Sequence, residues 1–117
     1  MIAMDLDPRR ELLLVEDEED QRQLLAEALR QRGYEVVVAA DAEAAMTQFE
    51  LRSPSIAVID LGLPGIDGLK LASMLRVATS HAPSLLLVAL TGFGMMHDRV
   101  MAAGYDHYLL KPIDMLT

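Results

Sequence analysis

The sequence predicts one α/β domain, built on an open, mostly parallel sheet with helices on both faces. Apolar segments, five in all, alternate with helical segments, which is the element order of repeated βαβ units. Two of these segments, Leu12 to Val15 and Leu85 to Leu90, are entirely apolar, as expected of strands buried on both sides. A chain of 117 residues is long enough for one such domain with its own core.

The first unit pairs a strand with an amphipathic helix. Leu12 to Val15 is predicted as the strand, and the helix is predicted from Glu18 to Arg32, ended by Gly33. The acids at the start of this helix are expected to be solvated and favoured by the helix dipole. One helix face is expected to be apolar and contains Leu24, Ala28 and the neighbouring Leu25 and Leu29.

The second and third units follow the same order. Glu35 to Ala39 is predicted as a strand, and Asp41 is expected to cap a helix that runs to about Arg52. Ile56 to Ile59 is predicted as the third strand, followed by a helix from Gly68 to about Thr79. The inward-facing residues of the capped helix are expected to be Ala45, Met46 and Phe49.

The last two units are shorter. Leu85 to Leu90 is predicted as a strand, Met95 to Ala103 as a short helix ended by Gly104, and Tyr108 to Leu110 as the fifth strand. After Pro112 only IDMLT follows, so the last helix is expected to be truncated or unseen. The exposed apolar face then predicts self-association through the fourth helix and fifth strand, or a covering extension.

Composition excludes several functional classes. The formal charge of -8 argues against direct binding of nucleic acid, which needs a basic face. There is no Cys, so disulfides and thiolate metal sites are excluded and a reducing compartment fits. Residues 1–10 resemble a leader or the end of a linker and contain no apolar signal core, and no segment predicts membrane insertion. We expect a cytoplasmic protein with a single domain over residues 11–117.

The residues at the carboxyl ends of the predicted strands include three acids, a hydroxyl and a lysine. Ligands of open α/β sheets bind outside the carboxyl ends of the strands, where side chains from separate strands converge. Three acids that converge there would repel one another unless a hard cation such as Mg²⁺ lay between them. A carboxylate, Mg²⁺, a hydroxyl and a lysine together suit the uptake of a phosphoryl group. The strand-end residues are Glu16, Asp17, Asp60, Thr91 and Lys111.

Four motifs in chain order resemble the receiver domain of two-component response regulators. They are LLLVED, DLGLPGIDG, ALTG and YLLKP, and together they span Leu12 to Pro112. The resemblance implies a flavodoxin-like sheet of strand order 2-1-3-4-5, as in chemotaxis regulators. The segments DPRR and TGFG are also similar to receivers attached to hybrid sensor histidine kinases, and a free single-domain regulator remains an open alternative.

The same resemblance assigns roles to individual residues. It implies that Asp60 accepts phosphate from a phosphohistidine on a partner histidine kinase or phosphotransfer protein. It implies that Mg²⁺ is bound by Asp60 and Asp17, by Glu16 through water, and by the Gly62 carbonyl. Thr91 would bind the phosphoryl group and Lys111 would pair with it across a cis peptide to Pro112. Tyr108 would turn inward on activation. Such a protein is a switch rather than an enzyme.

Two alternatives remain open from the sequence. One is a Mg²⁺-dependent phosphohydrolase with an Asp nucleophile, although such enzymes usually carry a second Asp two residues later, where this chain has Gly62. The other is a receiver-like fold used only for protein contacts, which the intact acids, Thr91 and Lys111 argue against. Gly62 and Phe93 also replace side chains that steer the attacking water in many relatives.

Overall fold

The computed structural model describes residues 10–62, 68–79, 85–92 and 97–111, in which strands and helices alternate. The elements in chain order are β1 (Glu11–Val15), α1 (Glu19–Gln31), β2 (Glu35–Ala39), α2 (Ala42–Arg52), β3 (Ile56–Asp60), α3 (Gly68–Ala78), β4 (Leu86–Thr91), α4 (His97–Ala102) and β5 (His107–Leu110).

All strand pairs are parallel, and the strand order is β2-β1-β3-β4-β5. The predicted α/β class and the flavodoxin-like order 2-1-3-4-5 are therefore confirmed. β1 lies between β2 and β3, with Leu13 beside Val37 on one side and Ala57 on the other. Because every strand runs in the same direction, all five carboxyl ends lie at one edge of the sheet.

The core has two layers, one on each face of the sheet. Alternate strand residues such as Leu13, Ala57 and Leu87 pack with α2, α3 and α4, and the residues between them, such as Leu14 and Val58, pack with α1. The residues Leu12 to Val15 are at most 2% exposed, which confirms the prediction that this strand is buried on both sides.

Local signals fix the ends of the first two helices. The Glu18 carboxylate accepts a hydrogen bond of 2.8 Å from the Gln21 N–H, and Asp41 accepts one of 2.8 Å from Ala44. The predicted Asp41 cap is therefore confirmed. α1 ends just before Gly33, whose φ of 103° is easily adopted only by glycine.

One prediction about α1 is wrong. Leu24 was expected on the buried face, but it is 73% exposed. Successive residues are 100° apart around a helix, so Leu24 lies about 200° from Ala26, which is buried. The buried stripe instead contains Ala26 and Leu29, with Leu25 packed beside them.

The prediction for β4 also needs correction. Leu85 lies before the strand, and Leu86 is 38% exposed, so the segment is not buried throughout. Leu86 points to the same face as Leu90, which packs with the α1 layer. Because α1 packs on β1 and β2, it does not reach the amino end of β4.

Several expectations lie outside the described residues. They concern the leader, the start of the short helix at Met95, the Lys111–Pro112 peptide and the last helix. Within the described parts of the chain, no helix combines the length and apolarity needed to cross a membrane.

Candidate functional site

The residues predicted to form a site do meet at the carboxyl edge of the sheet. Glu16 and Asp17 follow β1, Asp60 and Thr91 are the last residues of β3 and β4, and Lys111 follows β5. Backbone hydrogen bonds extend the sheet through this edge, because the Leu61 N–H donates to Leu90 (2.9 Å) and the Lys111 N–H donates to Thr91 (2.8 Å). The parallel topology therefore brings these separate sequence motifs together.

Lys111 bridges two of the acids. Its Nζ lies 3.0 Å from Asp60 Oδ2 and 3.0 Å from Glu16 Oε1, and it donates a third hydrogen bond of 3.2 Å to Gln21 Oε1. The sequence predicted Lys111 at this edge of the sheet, but its contacts with Glu16 and Gln21 were not predicted. The ammonium group thus compensates two carboxylates that are almost withdrawn from solvent.

The Asp60 carboxylate is buried yet favours its ionised form. Asp60 is only 7% exposed, and burial by itself would raise its pKa. The Gly62 N–H donates to Oδ1 at 2.9 Å, and this bond, together with contacts to Glu16 and Lys111, lowers the pKa of Asp60 below its ordinary value. The site therefore holds a desolvated anion at the end of the central strand β3.

Glu16 behaves in the opposite way. It is 1% exposed, and this burial, reinforced by the nearby Asp60 charge, raises the pKa of Glu16 despite the hydrogen bond from Lys111. Of these two acids, Asp60 therefore keeps its charge more readily. Lys111 loses solvation, but its two acidic partners raise its pKa overall, so it stays cationic.

Three carboxylates at this edge form a donor set. Glu16, Asp17 and Asp60 each offer an oxygen, and these oxygens lie within 4.8 Å of one another. Asp17 is exposed, so the set opens to solvent on one side. Carboxylate oxygens clustered in this way suit a hard divalent cation, and an exposed backbone at Gly62 lies next to them.

The two predicted switch residues lie on neighbouring strands. Thr91 is buried at the end of β4, one residue beyond the strand partner of Asp60. Tyr108 pairs with Ala89 and packs, partly buried, against the core on the α3 and α4 side. The next residue, Leu109, is 44% exposed on the other face of the sheet.

Two residues in the first turn of α1 also contact the site and were not predicted from the sequence. Gln21 accepts from Lys111, and the Arg22 guanidinium donates to the Glu16 carbonyl at 3.0 Å. A signal was available, because α1 starts only two residues after Asp17 and its first turn must lie beside the strand end. Reading the acidic run as simply solvated concealed this contact.

Comparison with known proteins identifies the protein family to which this chain belongs. A family model for the response regulator receiver domain matches residues 12–117. The chain therefore belongs to the response regulator receiver domain family, whose members are signalling switches. The resemblance to receiver domains that the sequence motifs indicated is confirmed.

Particular relatives narrow the comparison. The chain is 42% identical over 103 residues to the two-component response regulator PhoP of Pseudomonas aeruginosa, covering 86% of this chain and 44% of that protein. It thus spans less than half the length of that relative.

Solved structures are similar over most of the chain. Chemotaxis protein CheY4 of Vibrio cholerae superposes with a TM-score of 0.84 at 24% identity, covering 92% of this chain and 90% of the other, and supports the fold. Response regulator TrrA of Thermotoga maritima, in complex with Mg²⁺-BeF, gives a TM-score of 0.77 at 29% identity, covering 87% and 86%.

Proposed function

We propose that residues 11–117 form a phosphorylation-controlled receiver in which Asp60 accepts a phosphoryl group from a phosphohistidine on a histidine kinase or phosphotransfer protein. The observation that carries the proposal is the state of Asp60. Its carboxylate is buried, favours the ionised form, and lies 3.0 Å from a lysine at the edge where ligands bind. A desolvated carboxylate without a nucleophilic or binding role would be a costly feature.

In the proposed reaction, a carboxylate oxygen of Asp60 attacks the phosphorus of the donor. A P–O bond forms, the P–N bond to the imidazole breaks, and the imidazole leaves with the bonding electron pair and takes up a proton. The Gly62 N–H orients the carboxylate, and Lys111 stabilises negative charge on the transferring oxygens. The Thr91 hydroxyl would donate to the phosphoryl group once it is in place.

The donor set fits Mg²⁺. Asp17 and Asp60 would bind the ion directly, the Gly62 carbonyl would add a ligand, and Glu16 would act through water. The three carboxylate oxygens within 4.8 Å support this assignment, as does the Mg²⁺-BeF complex of the TrrA relative. A bound ion would neutralise charge on the phosphoryl oxygens.

The output of the switch is proposed to be the surface of α4 and β5. Movement of Thr91 toward the phosphoryl group would leave space into which Tyr108 turns. Leu110, which lies on the same face of β5 as Tyr108, is 59% exposed, and this supports the surface as the place where a partner or a second copy binds. For this surface to transmit the signal, the partner must bind it with different affinity before and after Thr91 and Tyr108 move.

The alternative of a phosphohydrolase has weaker support. The position two residues after Asp60 is Gly62, which offers only its backbone and so no side-chain acid or base. A fold used only for contacts would have no use for the paired Asp60 and Lys111. The two alternatives can be distinguished by labelling: a phosphohydrolase would turn over its phosphorylated form rapidly, and a fold used only for contacts would not be phosphorylated.

The test is labelling with acetyl phosphate and Mg²⁺, followed by intact-mass spectrometry. One acid-labile phosphoryl group should appear on the wild-type protein, none on Asp60→Asn, and chelation with EDTA should prevent labelling. Asp20→Asn is the matched control, because it removes an exposed acid from the same edge and should label normally. Equal labelling of Asp60→Asn and wild type would refute the assignment, and rapid catalytic turnover would favour the phosphohydrolase.

A further inference from the structure

A buried tyrosine connects the α4–β5 turn to the start of α3. Tyr105 is 3% exposed, and its hydroxyl donates a hydrogen bond of 2.6 Å to the carbonyl of Gly68, the first residue of α3. The two residues are 37 positions apart in the chain. A buried phenol hydroxyl needs a partner, so the ring and the carbonyl fix each other's position.

The carbonyl it reaches belongs to a residue that packs directly on the end of β3. A Cβ on Gly68 would lie 2.8 Å from the Leu61 Cα and 3.1 Å from the Asp60 carbonyl oxygen. Only glycine allows this approach of helix to strand end. Whatever holds Gly68 in place therefore also confines the backbone that carries Asp60 and Leu61.

The turn that carries Tyr105 is itself anchored. The Arg76 guanidinium donates to the Gly104 carbonyl at 2.6 Å and to the Leu85 carbonyl at 2.7 Å. The Asp106 carboxylate accepts a bond of 2.8 Å from the Leu87 N–H. Tyr105 thus extends from a fixed turn and can act as a rigid support for the start of α3.

We propose that Tyr105 is a positioning residue for phosphoryl transfer, holding Gly68 against the end of β3 so that Asp60 and the Gly62 N–H keep their mutual orientation. The proposal rests on the proposed function of Asp60. The ring fills core volume in any case, so the hydroxyl is the group assigned this role. Its hydrogen bond also joins the turn that precedes β5 to the start of α3, which packs against the end of the acceptor strand β3.

The test compares Tyr105→Phe with Tyr34→Phe. Tyr105→Phe keeps the ring and removes only the hydroxyl. Tyr34→Phe removes a hydroxyl from a partly buried tyrosine that directly precedes β2, away from the carboxyl ends of the strands where the site lies. Under conditions where circular dichroism shows all proteins folded, Tyr105→Phe should label with acetyl phosphate slower by a factor of roughly 2 to 10. Tyr34→Phe should label at the wild-type rate.

A second measurement is independent of phosphorylation. Amide hydrogen exchange at Leu61 and Gly62, measured without metal, should be faster in Tyr105→Phe than in wild type and unchanged in Tyr34→Phe. If the amides of Leu61 and Gly62 exchange faster in Tyr105→Phe than in wild type but the wild-type protein takes up no phosphoryl group, the proposed function of Asp60 fails while the positioning of the backbone by Tyr105 stands. A destabilised Tyr105→Phe with wild-type labelling and wild-type exchange at these amides would overturn the positioning role.

If Tyr105→Phe does not fold, the hydrogen bond is tested in the wild-type protein instead. There, NMR should find a slowly exchanging Tyr105 hydroxyl proton, as expected of a buried donor on the Gly68 carbonyl. A hydroxyl proton that exchanges at the rate of free tyrosine would overturn the proposal.

Discussion

Replacement of Lys111 by methionine should destabilise the metal-free protein strongly. The Lys111 ammonium lies 3.0 Å from both Asp60 and Glu16, which are 7% and 1% exposed. Removing one partner of a buried ion pair costs about 3–5 kcal/mol. Two features reduce that cost here: the Lys111 side chain is 22% exposed, and burial raises the pKa of Glu16, which eases its protonation once the lysine is removed. We therefore expect a loss of about 2–3 kcal/mol.

The assay is urea unfolding followed by circular dichroism, in EDTA and again in saturating Mg²⁺. Lys70→Met is a matched control, because Lys70 is the other lysine in the sequence and is exposed on α3. It changes the net charge equally but should alter stability by less than about 0.5 kcal/mol. Mg²⁺ should reduce the difference between Lys111→Met and wild type, since the ion supplies positive charge to the same carboxylates. Equal effects of the two lysine variants in EDTA would refute the reasoning.

Three further predictions test the site and its support. The free energy of unfolding without metal should contain a component that falls as pH rises above 4.5, because native Glu16, with its raised pKa, retains a proton that the unfolded chain releases. Urea titrations of Glu16→Gln should lack that component, and profiles parallel to wild type would contradict it. Asp17→Asn should weaken Mg²⁺ binding about tenfold or more and Asp20→Asn little, by calorimetry; equal losses would indicate a diffuse acidic surface. Gly68→Ala should cost about 1–3 kcal/mol in urea unfolding, because its Cβ would meet backbone at 2.8 Å. Gly92→Ala, with open space around it, should be close to neutral, and a Gly68→Ala as stable as Gly92→Ala would show that α3 can shift.

The sequence was most informative where one local signal determines the structure. The apolar segment Leu12 to Val15 identified a central strand, Asp41 identified a helix start, and Gly33 identified a helix end. The site could be predicted for a topological reason, because parallel strands place their carboxyl ends at one edge whatever the details of packing.

Long-range packing accounts for what the sequence could not predict. Leu24 and Leu25 are adjacent and equally apolar, so periodicity alone could not decide which of them faces the sheet. Exposure of Leu86, at 38%, depends on how the helices cover the amino end of β4, which no local sequence pattern records. The Tyr105 hydrogen bond joins residues far apart in the chain, and a tyrosine before a strand carries no sign of its partner.

The electrostatics of the site follow from an imbalance of charge. Three acids converge near one lysine in a chain of net charge -8, so Lys111 cannot neutralise them all. The metal-free fold tolerates this because burial favours protonation of Glu16 while hydrogen bonds keep Asp60 ionised. In the proposed switch, phosphorylation adds negative charge at Asp60 and offers Lys111 a stronger acceptor than either carboxylate. The contacts that Lys111 makes with Glu16 and Gln21 are then the ones that must weaken. Since Gln21 belongs to the first turn of α1 and Lys111 follows β5, the resting contacts of this lysine join the start of α1 to the end of β5.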